Sequence, residues 1–165
     1  MRIKSDSSSL APQDLWIKKS GYLSSHEFTQ QSLVTVPVSK RLPSVPSCWI
    51  DGAWQESSFA GGMGWIIKNS AEEVLCRGSS NRSHVSSALM AEALAMREAL
   101  KKAQDLNSLQ VFSNSQVLIS TLCSGVGMNE IAGVLQDIKI LSTLFCPLSF
   151  IFIPRTENSQ ADTLA

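Results

Sequence analysis

Three strand-forming runs crowd into residues 48–77 before any helical pattern begins. The first, residues 48–54, centres on Trp49, Ile50 and Trp54. Gly61-Gly62-Met63-Gly64 then leads into a second run at residues 65–68. Asn69-Ser70-Ala71-Glu72 has the composition of a hairpin turn, and residues 73–77 form the third run. Parallel neighbours need a long crossover, and these gaps are too short for one, so the three strands must form an antiparallel meander.

After the meander the periodicity changes. Leu89, Ala93, Met96 and Leu100 fall on one helical face, which predicts a helix over about 86–103, capped by Ser83 or Ser86. Residues 109–113 read as a strand around Val111 and Phe112. A short helix over 115–123 stops near Gly125. A longer one over 130–145 carries Ile131, Val134, Leu135, Ile138 and Leu141. Residues 148–153 are the last strand, ended by Pro154, and a terminal helix opens near Gln160. The order βββ-α-β-α-α-β-α predicts an α/β fold: a mixed five-stranded sheet, three antiparallel strands then parallel additions, flanked by helices. The terminal helix is expected to be truncated, since only its first turn precedes Ala165.

Residues 1–47 read differently. They are rich in Ser, Gln, Lys and Pro, lack apolar periodicity and end in Leu42-Pro43-Ser44-Val45-Pro46-Ser47. The expectation is a disordered lead-in before a domain at 48–165. The formal net charge is zero, so no global basic field draws the chain to a polyanion or a membrane. No apolar run approaches the roughly 20 residues of a membrane span. Cys48, Cys76, Cys123 and Cys146 form no CxxC pair, and their spacing suits no zinc ribbon. Cys48, Cys123 and Cys146 lie in or beside apolar runs and are expected to be buried, reduced thiols. No signal-peptide pattern is visible, which points to an intracellular location, nucleus or cytoplasm.

Asp51, Glu92, Asn114 and Asp162 carry the chemistry. Asp51 lies within the first strand, and Glu92 sits beside the apolar stripe of the first long helix. Asn114 ends the fourth strand and Asp162 opens the terminal helix. In the expected sheet the first and fourth strands are parallel neighbours, so Asp51 and Asn114 meet at their C-terminal ends, where crevices bind ligands. Gathered carboxylates repel one another unless a cation compensates, and Mg²⁺ or Mn²⁺ is the hard partner that oxygen ligands favour. Two such ions roughly 4 Å apart can clamp the attacking and leaving oxygens of a phosphodiester. Each acid taken singly also suits a surface or structural place, and Asn114 alone suits a turn or cap.

The local patterns around these residues are specific. Trp49-Ile50-Asp51-Gly52-Ala53, Gly61-Gly62-Met63-Gly64-Trp65, Ala91-Glu92-Ala93-Leu94-Ala95, Phe112-Ser113-Asn114-Ser115-Gln116 and Pro154-Arg155-x-x-Asn158-x-x-Ala161-Asp162-x-Leu164-Ala165 occur in order. The stretch from Cys48 to Ala165 resembles a type 1 ribonuclease H (RNase H-like) domain. It is nearest the plant subgroup found in non-LTR retroelement reverse transcriptases and their domesticated relatives. The resemblance implies Mg²⁺-dependent cleavage of the RNA strand of RNA–DNA hybrids. Asp51, Glu92 and Asp162 match the metal-ligand acids, and Asn114 stands where the family normally has Asp.

That departure matters most. An Asn oxygen can bind a cation, but the group is neutral and its other end is a donor. Weaker metal binding and a rate loss of roughly 10²-fold or more are expected. A histidine found after the last strand in many members is absent, and Arg155 occupies its neighbourhood, where it suits a phosphate or the metal-bound product. The basic protrusion of some members is not apparent. Gly78-Ser79-Ser80-Asn81 falls where members contact the nucleic-acid backbone, so Ser79, Ser80 and Asn81 are candidate contacts, although a plain polar loop is the stronger reading of them. His84 reads as a loop or capping residue. Three functions follow: an attenuated nuclease, a monomeric binding module for hybrid or other nucleic acid, or a retroelement remnant with neither property.

Overall fold

The computed structural model describes residues 42–165. The first three strands, β1 (Ser47–Gln55), β2 (Ala60–Lys68) and β3 (Val74–Arg82), form the expected antiparallel meander. Helix α1 (Ala88–Lys102) crosses to β4 (Leu109–Ser113), which lies parallel to β1. Helix α2 (Gln116–Ser124), a 3-10 turn at Asn129–Ile131 and helix α3 (Ala132–Ser142) lead to β5 (Leu148–Phe152), parallel to β4. After a second 3-10 turn at Arg155–Glu157 comes the single-turn helix α4 (Ser159–Asp162). The sheet order is β3-β2-β1-β4-β5.

The sheet has two apolar faces of unequal size. Cys48, Ile50, Trp65, Ile67, Val111 and Phe150 pack with the buried faces of α1, α2 and α3. Trp49, Phe112, Ile151, Ile153 and Ala161 form a smaller cluster on the opposite face. There the Trp49 and Phe112 rings stack at 5.1 Å, and the Lys68 ammonium lies 4.8 Å from the Trp49 ring centroid. Alternate residues of a strand point to opposite faces, which is why neighbouring Trp49 and Ile50 serve different clusters.

Several boundaries differ from the sequence reading, each for a local reason. Strand β2 begins at Ala60, so Gly61, Gly62 and Gly64 lie inside it. These positions are bare because other groups approach them closely. A Cβ on Gly61 would meet Val85, one on Gly62 would meet the Ala165 carbonyl, and one on Gly64 would lie 2.7 Å from the Ala161 oxygen. Strand β3 runs to Arg82 instead of ending at Arg77, because Gly78–Arg82 pairs with Gly61–Trp65. Ser79, Ser80 and Asn81 are therefore edge-strand residues and not a loop. The cap of α1 is Ser87, one residue beyond the expected Ser83 or Ser86. Its hydroxyl accepts from Met90 N at 3.1 Å and also reaches Glu130. Cys48 is buried, Cys76 and Cys123 are half-buried, and Cys146 is exposed, which corrects the expectation of burial for both Cys123 and Cys146. Cys146 sits in the connection before β5, outside the apolar stripe.

Ser47, assigned to the lead-in by composition, is the first residue of β1. The segment before it is tied down by Gln110, a buried side chain on β4. Gln110 accepts from Leu42 N at 2.8 Å and donates to the carbonyls of Leu42 and Val45 at 2.9 and 3.2 Å. Buried polar groups need such partners. The remainder of the expected lead-in, residues 1–41, lies outside the described residues. Among the described residues, no single helix is long and apolar enough to cross a membrane.

Candidate nucleic-acid site

The parallel pairing of β1 with β4 builds the centre of the site. Ile50 opposite Ser113 is the last pair of that ladder. The next residues, Asp51 and Asn114, therefore leave it side by side. Asp51 is buried, at 4 % exposure, although it is still paired to Gly64 of β2 on its other side. Glu92 arrives from α1, which presses on β1 where β1 has no side chain. A Cβ on Gly52 would lie 2.4 Å from Glu92 N. The Gly52 backbone N–H also hydrogen-bonds the Glu92 carboxylate. Asp162 is brought back by α4, whose backbone starts from the Asn158 carbonyl, the acceptor for Ala161 N and Asp162 N at 3.1 and 3.0 Å.

These acids feel one another. Burial, then the Asp162 charge, raises the Asp51 carboxyl above its ordinary range, while hydrogen bonds from Asn114 and Asn158 pull it back. Burial, then the Asp51 charge, pushes Glu92 up to about 8. Glu92 Oε2 is buried and has no hydrogen-bond partner. Arg155 supplies the nearest positive charge. It donates to Asp162 Oδ1 from Nη2 at 2.7 Å and from Nε at 3.1 Å, and its charge also reaches Asp51 and Glu92.

The structure thus brings Asp51, Glu92, Asn114, Asp162 and Arg155 to one end of the sheet. Ser79, Ser80 and Asn81 stand apart from them at the β3 edge. Ser79 is in register with Gly64, which is in turn opposite Asp51, so two strand spacings, about 10 Å, separate their backbones. Asn158 is the residue whose role the sequence did not reveal. It is buried and donates to Ile50 O at 2.8 Å and to Asp51 Oδ1 and Asn114 Oδ1, each at 3.3 Å. Its place three residues after Arg155 in the last patterned segment was the available signal.

Residues 50–165 match the sequence profile of the family described as Reverse transcriptase-like. The chain belongs to that family. Its fold is RNase H-like, and solved structures agree. RNase H1 from the halophilic archaeon Halobacterium salinarum NRC-1 superposes with a TM-score of 0.68 at 22 % identity, covering 73 % of this chain and 93 % of that one. LC11-RNase H1, solved in complex with an RNA/DNA hybrid, gives 0.65 at 22 % identity, covering 72 % and 92 %. The prototype foamy virus protease-reverse transcriptase gives 0.63 at 19 % identity, covering 80 % of this chain and 22 % of that one. No curated protein matches in sequence.

Within this RNase H-like domain the donor chemistry suits a hard divalent cation. Three carboxylates converge, two of them raised by burial and mutual repulsion, and Glu92 presents an unpartnered buried oxygen. Among the described residues, however, no three His, Cys, Asp or Glu side chains stand close enough to hold a metal ion as they are arranged. Asp162 is already paired with Arg155, and Asn114 supplies no charge at the fourth position.

Proposed function

We propose that this domain binds RNA–DNA hybrid, and that its capacity to hydrolyse the RNA strand is attenuated by Asn114. The observation that carries the reading is the electrostatic coupling of Asp51, Glu92 and Asp162 at the C-terminal ends of parallel β1 and β4. Those three acids would hold Mg²⁺ or Mn²⁺. When bound, such ions activate a water and stabilise the leaving oxygen of a phosphodiester. Asn114 can lend an oxygen but no charge, so the site is a weakened one. Arg155, exposed beside Asp162, suits a phosphate of the nucleic acid, and Ser79, Ser80 and Asn81 suit its backbone along the β3 edge. The hybrid-bound LC11-RNase H1 shares the fold and supports this substrate class. We further assign the chain to the plant retroelement subgroup on its patterned segments, and expect a monomer acting in nucleus or cytoplasm.

A second reading, binding without cleavage, is favoured by the amide at position 114, which supplies no negative charge to a cation. One comparison separates the two. The parent and an Asn114→Asp variant are incubated with labelled RNA–DNA hybrid in Mg²⁺ and in Mn²⁺. The parent is expected to cut poorly and the variant better by roughly 10²-fold. Robust cutting by both at equal rates would overturn the role given to Asn114. Hybrid retention without cutting by either would establish the binding module, and no retention by either would leave a remnant of the family.

A further inference from the structure

Helix α4 is four residues long, too short to hold itself together in water. The place of Asp162 therefore depends on what grips that helix. Its far end rests on bare β2: a Cβ on Gly64 would lie 2.7 Å from both the Ala161 oxygen and the Ala165 nitrogen. Its near end is Asn158, whose carbonyl accepts from Ala161 N and Asp162 N at 3.1 and 3.0 Å. The Asn158 side chain, at 1 % exposure, reaches the other way. Its NH₂ faces Ile50 O at 2.8 Å, and Asp51 Oδ1 and Asn114 Oδ1 at 3.3 Å each. One short contact and two equal, longer ones fit one hydrogen on Ile50 and the other shared between the two side chains. The opposite amide sense would set Oδ1 against those same oxygens, so the donor end faces them although Oδ1 is left buried without a partner.

We propose that Asn158 is a positioning residue that ties Asp162 to Asp51 and Asn114. Its side-chain NH₂ joins the ends of β1 and β4, and its carbonyl starts the turn that carries Asp162. Three of the four residues of the candidate cation site then hang on one buried residue. It sets how far apart their side chains stand before any ion arrives. A small, hard cation accepts a narrow range of oxygen distances, so its affinity is sensitive to that spacing. This deepens the function proposed above, and its consequence for cation binding rests on that reading.

The tie is testable by NMR of the metal-free, full-length chain. The Asn158 NH₂ is expected to exchange with solvent at least roughly tenfold more slowly than that of exposed Asn129, and to show close contacts to the β-protons of Asp51 and Asn114. Asn158→Leu keeps much of the volume and removes the donor. In that variant the amides of Ala161 and Asp162 should exchange at least roughly tenfold faster than in the parent, while the β2 amides keep their protection. Unchanged exchange at Ala161 and Asp162 in the folded variant overturns the inference. Should the variant not fold, the parent decides, because an Asn158 NH₂ that exchanges as fast as that of Asn129 overturns it equally. Mn²⁺ titration supplies the readout that a space-filling role would not move. Affinity should fall roughly tenfold or more in folded Asn158→Leu. It should stay at the parent value in Ile138→Val, which loses buried volume on the other face of the sheet. Equal affinity in the parent and Asn158→Leu, or an equal fall in both variants, overturns the positioning role. A parent that binds no Mn²⁺, with α4 released in Asn158→Leu, defeats the cation site and leaves the tie standing.

Discussion

Arg155 grips a single oxygen of Asp162 with two guanidinium nitrogens, at 2.7 and 3.1 Å. The other Asp162 oxygen is left out of the pair. The side chain of Arg155 remains 76 % exposed, so the grip is a surface contact laid over a partly buried acid group. It offsets charge that would otherwise repel Asp51, and it competes with any divalent ion that approaches the same carboxylate. Replacing Arg155 with Gln removes the competitor while keeping much of its length. Mn²⁺ affinity, read by calorimetry at low salt, should rise severalfold in Arg155→Gln. The melting temperature should barely move, because exposed pairs add little. An affinity that falls would show that Arg155 helps to hold the ion's surroundings instead of excluding it.

Glu92 carries a pH prediction. Its carboxyl is raised from 4.5 to about 8 in the folded protein, by burial first and the Asp51 charge second. Between those values the folded state binds a proton that the unfolded chain has released. Stability therefore falls as pH rises through this window and levels off above about 8. Asp51, also raised, acts with the same sign from its lower starting value. Glu92→Gln keeps the shape without the charge. The variant should lose most of the downward slope between pH 4.5 and 8 and be more stable than the parent at pH 8, on the order of a few kcal/mol. Parallel melting-temperature profiles for parent and variant would mean that Glu92 is ionised without penalty.

The cysteines differ enough to be told apart by labelling. Cys48 lies at 0 % exposure, with its thiol pushed up by burial and by neighbouring Cys76, whereas Cys146 is exposed before β5. A thiol reagent under native conditions should modify Cys146 first and Cys48 only as fast as the sheet opens. Mass spectrometry of the labelled peptides gives the order. Early modification of Cys48 would place β1 outside the stable core.

Much of this was legible from residue patterns, and the exceptions share a cause. The centres of all five strands and the faces of α1 and α3 follow from apolar spacing, because Ile50, Val111, Leu100 and Ile138 must leave water somewhere. Asp51 and Asn114 could be paired from strand order alone, since a parallel β1–β4 ladder puts their chain positions together. The second half of β3 was not legible: Gly78–Arg82 is polar, lies at the sheet edge and has no buried face to impose a period. Ser83, Ser86 and Ser87 offer the same cap chemistry within five residues, so only the backbone chooses Ser87. The burial of Asn158 depends on Ile50, Asp51 and Asn114, which lie 44 or more residues away. No local spacing encodes such a contact.

Glycine substitutions give the sharpest test of how the site is assembled, because two of them should act with opposite sign. Gly52 lies under α1, and a Cβ there would come within 2.4 Å of Glu92 N and 2.5 Å of the Ala91 carbonyl carbon. Both are backbone atoms, so relief requires α1 to move away from β1. Gly52→Ala should destabilise the domain by about 1–3 kcal/mol in urea unfolding. It should also draw Glu92 away from Asp51, which would flatten the pH dependence that their coupling creates. Gly133 lies in α3, where an added Cβ meets nothing within 4 Å. Gly133→Ala there removes backbone freedom from the unfolded chain and should stabilise by about 0.5–1 kcal/mol with the pH profile unchanged. If Gly52→Ala were as well tolerated as Gly133→Ala, α1 would not be seated against β1 closely enough for Gly52 to hold Glu92 beside Asp51.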